Sequence, residues 1–191
     1  MTTLASAIAA LASNEVADRA AAAAELFQAG RALAEPVMRE WRRDVELAGL
    51  AGGETPSITV GVAVEPVTFA RIRAANSSPL LARVPPEQDA AEFELHFPEG
   101  IALDILTTNQ PGGPGAIARF LAKFGEGIQQ VEYRTTNVDR ATQILKERFG
   151  QQPVYPETRP GADGTRVNFF LASSTEGAKV LIELYEWPEI R

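Results

Sequence analysis

The stretch that decides the fold is Gly125–Glu186, which opens GEGIQQVEYRTTNVDRATQILKERFG (125–150) and closes RPGADGTRVNFFLASSTEGAKVLIELYE (159–186). A stripe of apolar residues at helical spacing predicts a helix over 138–149, capped by Asn137 and ended by Gly150. Alternating or short apolar runs predict four strands around it, at 128–134, 153–155, 166–172 and 179–186. The order of these elements is βαβββ.

The preceding part of the chain repeats this order more faintly. Alternation predicts strands at 57–64, 81–84, 92–97 and 101–107, and a helix is expected over 67–75. The Gly- and Pro-rich run 109–115 reads as a linker, and the helix predicted over 116–124 joins the two halves. We therefore predict an α+β fold with paired βαβββ modules and an N-terminal helical extension.

Residues 4 to about 50 are predicted to form a helical hairpin. Gly30 is expected to end or break the first helix, and Pro36 to begin the second. Val37, Trp41, Val45 and Ala48 then share one face of the second helix, which Gly49, Gly52 and Gly53 end. That apolar face either packs against the sheet of the chain or forms an interface with a second copy or another partner. The predicted domains are the hairpin at 1–53, the first module with its linker at 54–115, and the linking helix with the second module at 116–191.

Composition excludes several classes of function. The formal net charge is −7, and a protein that tracks phosphates needs a basic stripe, so nucleic-acid binding is not expected. The chain has no cysteine, which excludes disulfides, thiolate nucleophiles and thiolate metal sites. No apolar run approaches the length of a membrane span, and the N-terminus lacks a secretory signal pattern. These features predict a cytoplasmic protein.

One face of the predicted strands carries an unusual set of polar side chains. These are Thr59, Glu92, Glu94, His96, Asp104, Gln130, Glu132, Arg134 and Glu183. If the sheets curl around a shared cleft, the polar side chains converge there. The alternative is the solvated face of an antiparallel sheet, and alternation alone does not separate the two readings.

Motifs in the second half carry a resemblance to a known family. They are Gly127–Val131, Asn137–Asp139, Gly161–Phe169 and Lys179–Leu184, with the fainter Val84–Gln88 and Leu103–Leu106 in the first half. The chain resembles the vicinal-oxygen-chelate superfamily, which includes glyoxalase I and the extradiol dioxygenases. Within it, the likeness is greatest to the methylmalonyl-CoA epimerases. It covers residues 57–187 and leaves out the N-terminal helices.

The resemblance implies a set of site residues. The four metal-ligand positions of the family fall on Thr59, Asp104, Gln130 and Glu183, and the position of the base that acts at the α-carbon of a thioester falls on Glu92. In the family the positions of Thr59 and Gln130 are histidines. The implied cofactor is a divalent ion such as Mg, Mn, Co or Zn, although an all-oxygen ligand set holds such an ion weakly. The alternative is a metal-free polar cleft.

Two functions follow from the resemblance. The first is an epimerase (an isomerase) or a lyase that acts on a small acid or acyl thioester, with Glu92 and Glu183 as its two bases. The second is a non-catalytic protein that binds a small ligand or a partner. His96, the only histidine, matches no ligand position and is read as a surface or cleft residue. Arg159 and Arg166 flank a Gly-rich loop and are candidates for binding a phosphate or carboxylate, although solvated arginines are commoner in loops.

Overall fold

The computed structural model describes residues 3–51, 58–173 and 179–188. Their α helices are α1 (Leu4–Ala10), α2 (Val16–Trp41), α3 (Val45–Gly49), α4 (Pro66–Ala75), α5 (Ala116–Phe124) and α6 (Val138–Phe149). Their strands are β1 (Ile58–Ala63), β2 (Ala90–Phe97), β3 (Ile101–Thr108), β4 (Gly127–Arg134), β5 (Arg159–Pro160), β6 (Arg166–Ser173) and β7 (Lys179–Glu186). The predicted α+β fold is confirmed. The predicted glycine stop at 52–53 and the turn after Ser173 extend beyond the described residues.

The chain divides into two compact units, and each takes part of the N-terminal helical region. The first unit comprises Met1–Gly30 and Thr59–Gln129, and the second comprises Arg31–Ile58 and Gln130–Arg191. The long helix α2 therefore belongs to the first unit up to Gly30 and to the second from Arg31 onward. The domain boundaries expected from the sequence, at 53 and 115, stay a prediction.

In the first unit, β3 lies between β2 and β1. It pairs antiparallel with β2 and parallel with β1, so that Asp104 is the register partner of both Glu94 and Gly61. Helix α4 covers the apolar face, where Phe69 packs edge-on against Phe93 at a ring distance of 4.8 Å. Since side chains alternate along a strand, the polar residues of β2 point to the opposite face.

In the second unit the strand order is β4, β7, β6, β5. Strand β7 pairs parallel with β4 and antiparallel with β6. The predicted helix over 138–149 is confirmed: the Asn137 side chain accepts a hydrogen bond from the Arg140 N–H, and Gly150 ends the helix with a positive φ of 65°. Helix α6 covers the apolar face of these strands.

The expected break at Gly30 and new helix at Pro36 are wrong. Both residues lie inside the continuous helix α2. Gly30 is there because a Cβ at this position would come within 2.5 Å of a methyl group of Val60, so only glycine allows this approach. Pro36 costs a helix about 3 kcal/mol. The burial of Ala34, Val37, Met38 and Trp41 around it offsets that cost.

The second N-terminal helix also ends earlier than expected. Asp44 caps the separate short helix α3, whose buried residue is Leu47. Val45, predicted on the apolar face, is 86% exposed. Trp41 is buried as predicted and meets Phe170 of β6 edge-on, with ring centroids 6.2 Å apart. The apolar face of these helices thus belongs to the core of the second unit.

Two predicted short strands do not form as such. Residues 81–84 have no regular strand, although the Ala82 N–H donates to the Glu92 carbonyl at 3.0 Å. At 153–155 only Pro153 makes an isolated bridge, to Phe170. The two-residue strand β5 lies instead in the segment expected to be a loop. Among the described helices, none is long and apolar enough to cross a membrane.

Candidate functional site

The first unit places four predicted site residues on one face of its sheet. The register aligns Glu94 with Asp104, and Glu92 lies two residues before Glu94 on β2. Thr59 lies two residues before Gly61, the partner of Asp104 on β1, and so shares the same face. Thr59 and Asp104 are buried, whereas Glu92 is half-buried. The Glu92 carboxylate is therefore more accessible than that of Asp104.

His96 lies at the exposed end of the same face. Its Nε2 atom is 2.8 Å from Oε2 of Glu94, and both side chains are largely exposed. An ion pair between exposed side chains contributes little free energy. This geometry agrees with the interpretation of His96 as a surface residue.

The second unit brings Gln130, Glu132 and Glu183 together. Glu132 and Glu183 are register partners on the neighbouring parallel strands β4 and β7. Gln130, two residues before Glu132, donates from Nε2 to Oε2 of Glu183 at 2.6 Å and to Oε1 of Glu132 at 3.2 Å. Gln130 and Glu132 are buried, with 6% and 8% of their surfaces exposed. One amide group thus binds both carboxylates.

These residues do not fit the transition-metal site that the family resemblance implies. Such ions favour imidazole nitrogen, whereas the first unit offers the Thr59 hydroxyl and the Asp104 carboxylate. In the second unit, Gln130 turns its N–H groups, which cannot ligate a cation, toward Glu183 and Glu132. Within the described ranges, no group of three or more His, Asp or Glu side chains has the arrangement of a metal site.

Two aromatic rings and an arginine follow next to the carboxylates of the second unit. Phe169 of β6 is the register partner of Glu183, and Tyr155 packs edge-on against Phe169 with ring centroids 6.0 Å apart. The exposed Arg159 guanidinium lies over the Tyr155 ring, 3.9 Å from its centroid. The sequence indicated Arg159 but not the two rings. The aromatic Phe169 on the same side of the sheet as Glu183 was the signal that could have shown them.

Arg166 forms ion pairs within the second unit, and its candidacy for phosphate or carboxylate binding stays a prediction. Its guanidinium lies 2.6 Å from Oδ2 of Asp139 and 3.4 Å from Oε1 of Glu186. The hydrogen bond from Arg166 lowers the pKa of Asp139, and that carboxylate in turn raises the pKa of Arg166. Arg166 therefore ties the start of β6 to the first turn of α6 and the end of β7.

Comparison with solved structures identifies proteins of similar fold. The methylmalonyl-CoA epimerase of Mycobacterium tuberculosis is 28% identical, with a TM-score of 0.56; the match covers 69% of this chain and 88% of that chain. A hypothetical protein from Bacillus halodurans is 27% identical, with a TM-score of 0.56 and coverages of 70% and 94%. A variant of the Streptomyces coelicolor methylmalonyl-CoA epimerase, in complex with 2-nitronate-propionyl-CoA, is 25% identical, with a TM-score of 0.55 and coverages of 69% and 96%.

No protein-family model and no curated protein sequence matches the chain. The structural matches span most of each solved protein but leave about three-tenths of this chain unmatched. The resemblance in the sequence also left out the N-terminal helices. The expected relation is confirmed at the level of fold: this chain is similar to the methylmalonyl-CoA epimerases of the vicinal-oxygen-chelate superfamily.

Proposed function

We propose that the protein binds a small carboxylic acid or its acyl thioester and moves a proton at the carbon next to the carbonyl group. The reaction is that of an epimerase or a lyase, with Glu92 and Glu183 as its acid–base residues. A carboxylate takes the α-proton, and the electron pair of the broken C–H bond moves onto the carbonyl oxygen. Return of a proton on the other side of the carbon completes an epimerisation.

The placement of Glu183 carries this proposal. One of its oxygens accepts the 2.6 Å hydrogen bond from the buried Gln130 amide, which fixes the direction of the carboxylate. Phe169 is its neighbour across the strands. A general base has to be held in one orientation beside its substrate, and an apolar neighbour strengthens its electrostatic interactions.

Glu92 is supported by its place in the first unit. It lies on β2, on the same face as Asp104, and is half-buried. The family resemblance puts the thioester base at this position. Glu94, two residues further along the same strand, is exposed and bonded to His96, which makes it a natural control.

The placement of Arg159 is an argument for an anionic ligand. A guanidinium stacked on an aromatic ring is pre-organised for a carboxylate or phosphate, because the ring restricts its motion while the N–H groups stay accessible. An acyl-CoA carries phosphates, and one structurally similar epimerase was crystallised with an acyl-CoA analogue. This similarity supports an acyl thioester as the class of substrate.

A second candidate is a binding protein without catalysis. The residues at the metal-ligand positions favour this candidate, because Thr59 and Gln130 stand where the family has histidines. Without a cation to stabilise the enolate, proton removal from a thioester is slower. The same side chains would then serve ligand recognition alone.

The experiment uses methylmalonyl-CoA as probe. Proton NMR in D2O measures loss of the α-proton signal, and calorimetry measures binding. We expect exchange with the unaltered protein, and a loss of about 100-fold or more in Glu92→Gln and in Glu183→Gln. Glu94→Gln, the matched control, should exchange at the unaltered rate.

The outcomes separate the two candidates. Binding without exchange in the unaltered protein supports the second candidate and contradicts the first. Exchange that survives both glutamine variants contradicts the assigned bases. Neither binding nor exchange, with methylmalonyl-CoA or with free methylmalonate, contradicts the proposed substrate class.

A further inference from the structure

We infer that Gln130 takes the place of a metal ion in the second unit: its amide holds Glu132 and Glu183 as a fixed pair, and it competes with any divalent cation for their oxygens. Gln130 is then a positioning residue. The inference concerns residues of the second unit alone. It stands or falls separately from the proposed reaction.

The sheet brings two acidic side chains side by side. Glu132 and Glu183 are register partners on adjacent strands, so their side chains leave the sheet on the same face. Like charges placed directly opposite each other destabilise a pair of strands. Glu132 is also 92% buried, where water screens its charge poorly. This pair therefore needs a group that binds both carboxylates.

The amide of Gln130 has the chemistry that the pair requires. An NH2 group has two hydrogens that point in different directions, one for each acceptor. The distances of 2.6 Å to Glu183 and 3.2 Å to Glu132 use the nitrogen for both. The opposite orientation of the amide would direct its oxygen at two acceptors. The assignment of nitrogen and oxygen thus follows from the partners themselves.

The Gln130 amide and a divalent cation are alternative binding partners of the same two carboxylates. A divalent ion binding Glu132 and Glu183 would occupy the space into which Gln130 directs its N–H groups, since both use the same oxygens. Gln130 has 6% of its surface exposed, which restricts its movement out of the way. Removal of the amide should leave a pair of close carboxylates that attracts a hard cation.

The experiment measures thermal unfolding and calorimetric binding with Mn²⁺ as probe, in the full chain. In the unaltered protein, millimolar Mn²⁺ should leave the Tm unchanged. Gln130→Ala should lower the Tm, and Mn²⁺ should restore part of that loss. Its affinity for Mn²⁺ should be at least tenfold higher than that of the unaltered protein, and Glu183→Gln in the same chain should abolish the gain. A merely structural role of Gln130 predicts a lower Tm without any response to Mn²⁺.

A second variant and a control complete the test. Gln130→Glu, which keeps the size of the side chain, should also gain affinity for Mn²⁺ if Gln130→Ala does not fold. Gln143 donates a 2.9 Å hydrogen bond to Glu147 on the exposed face of α6, so Gln143→Ala should change neither property. The inference is overturned if the unaltered protein binds one equivalent of Mn²⁺, Co²⁺ or Zn²⁺ that Glu183→Gln removes. It is also overturned if neither Gln130 variant gains affinity for Mn²⁺.

Discussion

Gly30 lies inside α2 at a point where the helix backbone closely approaches β1 of the first unit. A Cβ atom there would be 2.5 Å and 2.7 Å from the two γ-methyl groups of Val60. Val60 is fully buried and branched at Cβ, so it has little freedom to move aside. The glycine serves packing between helix and strand, although glycine normally weakens a helix.

Gly30→Ala should therefore destabilise the protein. Alanine gains about 1 kcal/mol in helix propensity, but overpacking of a filled core costs about 1–3 kcal/mol. The expected net result is a lower free energy of unfolding, measured by urea denaturation followed by circular dichroism. Gly49→Ala in α3 is the matched control, since a Cβ there meets no atom within 4 Å. A Gly30→Ala variant more stable than the original would contradict the close approach.

For the site residues, the sequence predicted which side chains share a face of the sheet but not which hydrogen bonds they form. Alternation is a local property of a strand, so Gln130 and Glu132 were placed on one side correctly. Glu183 is 53 residues away from Gln130, and only the pairing of β4 with β7 brings the amide to both carboxylates. The edge-on contact of Tyr155 with Phe169 likewise joins two separate segments of the chain.

Among the elements, α3 and α6 are joined by a group of ion pairs. Arg148 of α6 lies 2.7 Å from the Asp44 carboxylate and 2.5 Å from that of Glu46, and Arg140 also lies 2.5 Å from Glu46. The hydrogen bonds from Arg148 lower the pKa of Asp44 and of Glu46 below their usual values of 3.8 and 4.5. These contacts hold the short helix α3 against α6 within the second unit.

The stability that Arg148 contributes should depend on pH. A carboxylate with a lowered pKa in the folded state stabilises the fold above its unfolded pKa, and that stabilisation is lost as the pH falls through the folded pKa. Arg148→Gln should therefore lower the urea midpoint at pH 7, and the difference from the unaltered protein should shrink as the pH is lowered to 3. Arg71→Gln, at an exposed position of α4, is the control. Equal differences at both pH values would rule out the carboxylates as the partners responsible.

The helices also show where prediction from sequence succeeds. The bounds of α6 were predicted correctly because its signals, the Asn137 cap and the Gly150 stop, lie within the segment itself. The same local rules failed for Gly30 and Pro36, since their places in α2 are set by contacts with Val60 and with the core around Trp41. A local signal is reliable only where no distant contact outweighs it.

In the whole molecule, the N-terminal region is divided between the cores of the two units. In the first unit, the buried residues include Ile8 of α1, Leu11 at the end of that helix and Leu26 of α2, and Asn76 donates to the Leu11 carbonyl at 2.9 Å. In the second unit, Trp41 and Leu47 join the core formed with α6 and β7, and the Thr136 N–H donates to the Leu50 carbonyl at 2.8 Å. The structurally similar epimerases cover about seven-tenths of the chain.

Deletion of residues 1–50 should consequently unfold or aggregate the protein. Trp41→Ala alone should cost about 3–5 kcal/mol, a large part of the 5–15 kcal/mol typical of a whole domain. The deletion removes Trp41 together with the other buried side chains of α1, α2 and α3, and it exposes Phe170, the aromatic partner of Trp41. Thermal unfolding, binding of an apolar dye and light scattering after gel filtration measure the effect, with Trp41→Ala in the full chain as the intermediate case. The contrary outcome is a full-length protein that is a dimer and a truncated chain that is a folded monomer. That result would assign these helices to a homodimer interface, because a face used for assembly can be removed without opening the core of either unit.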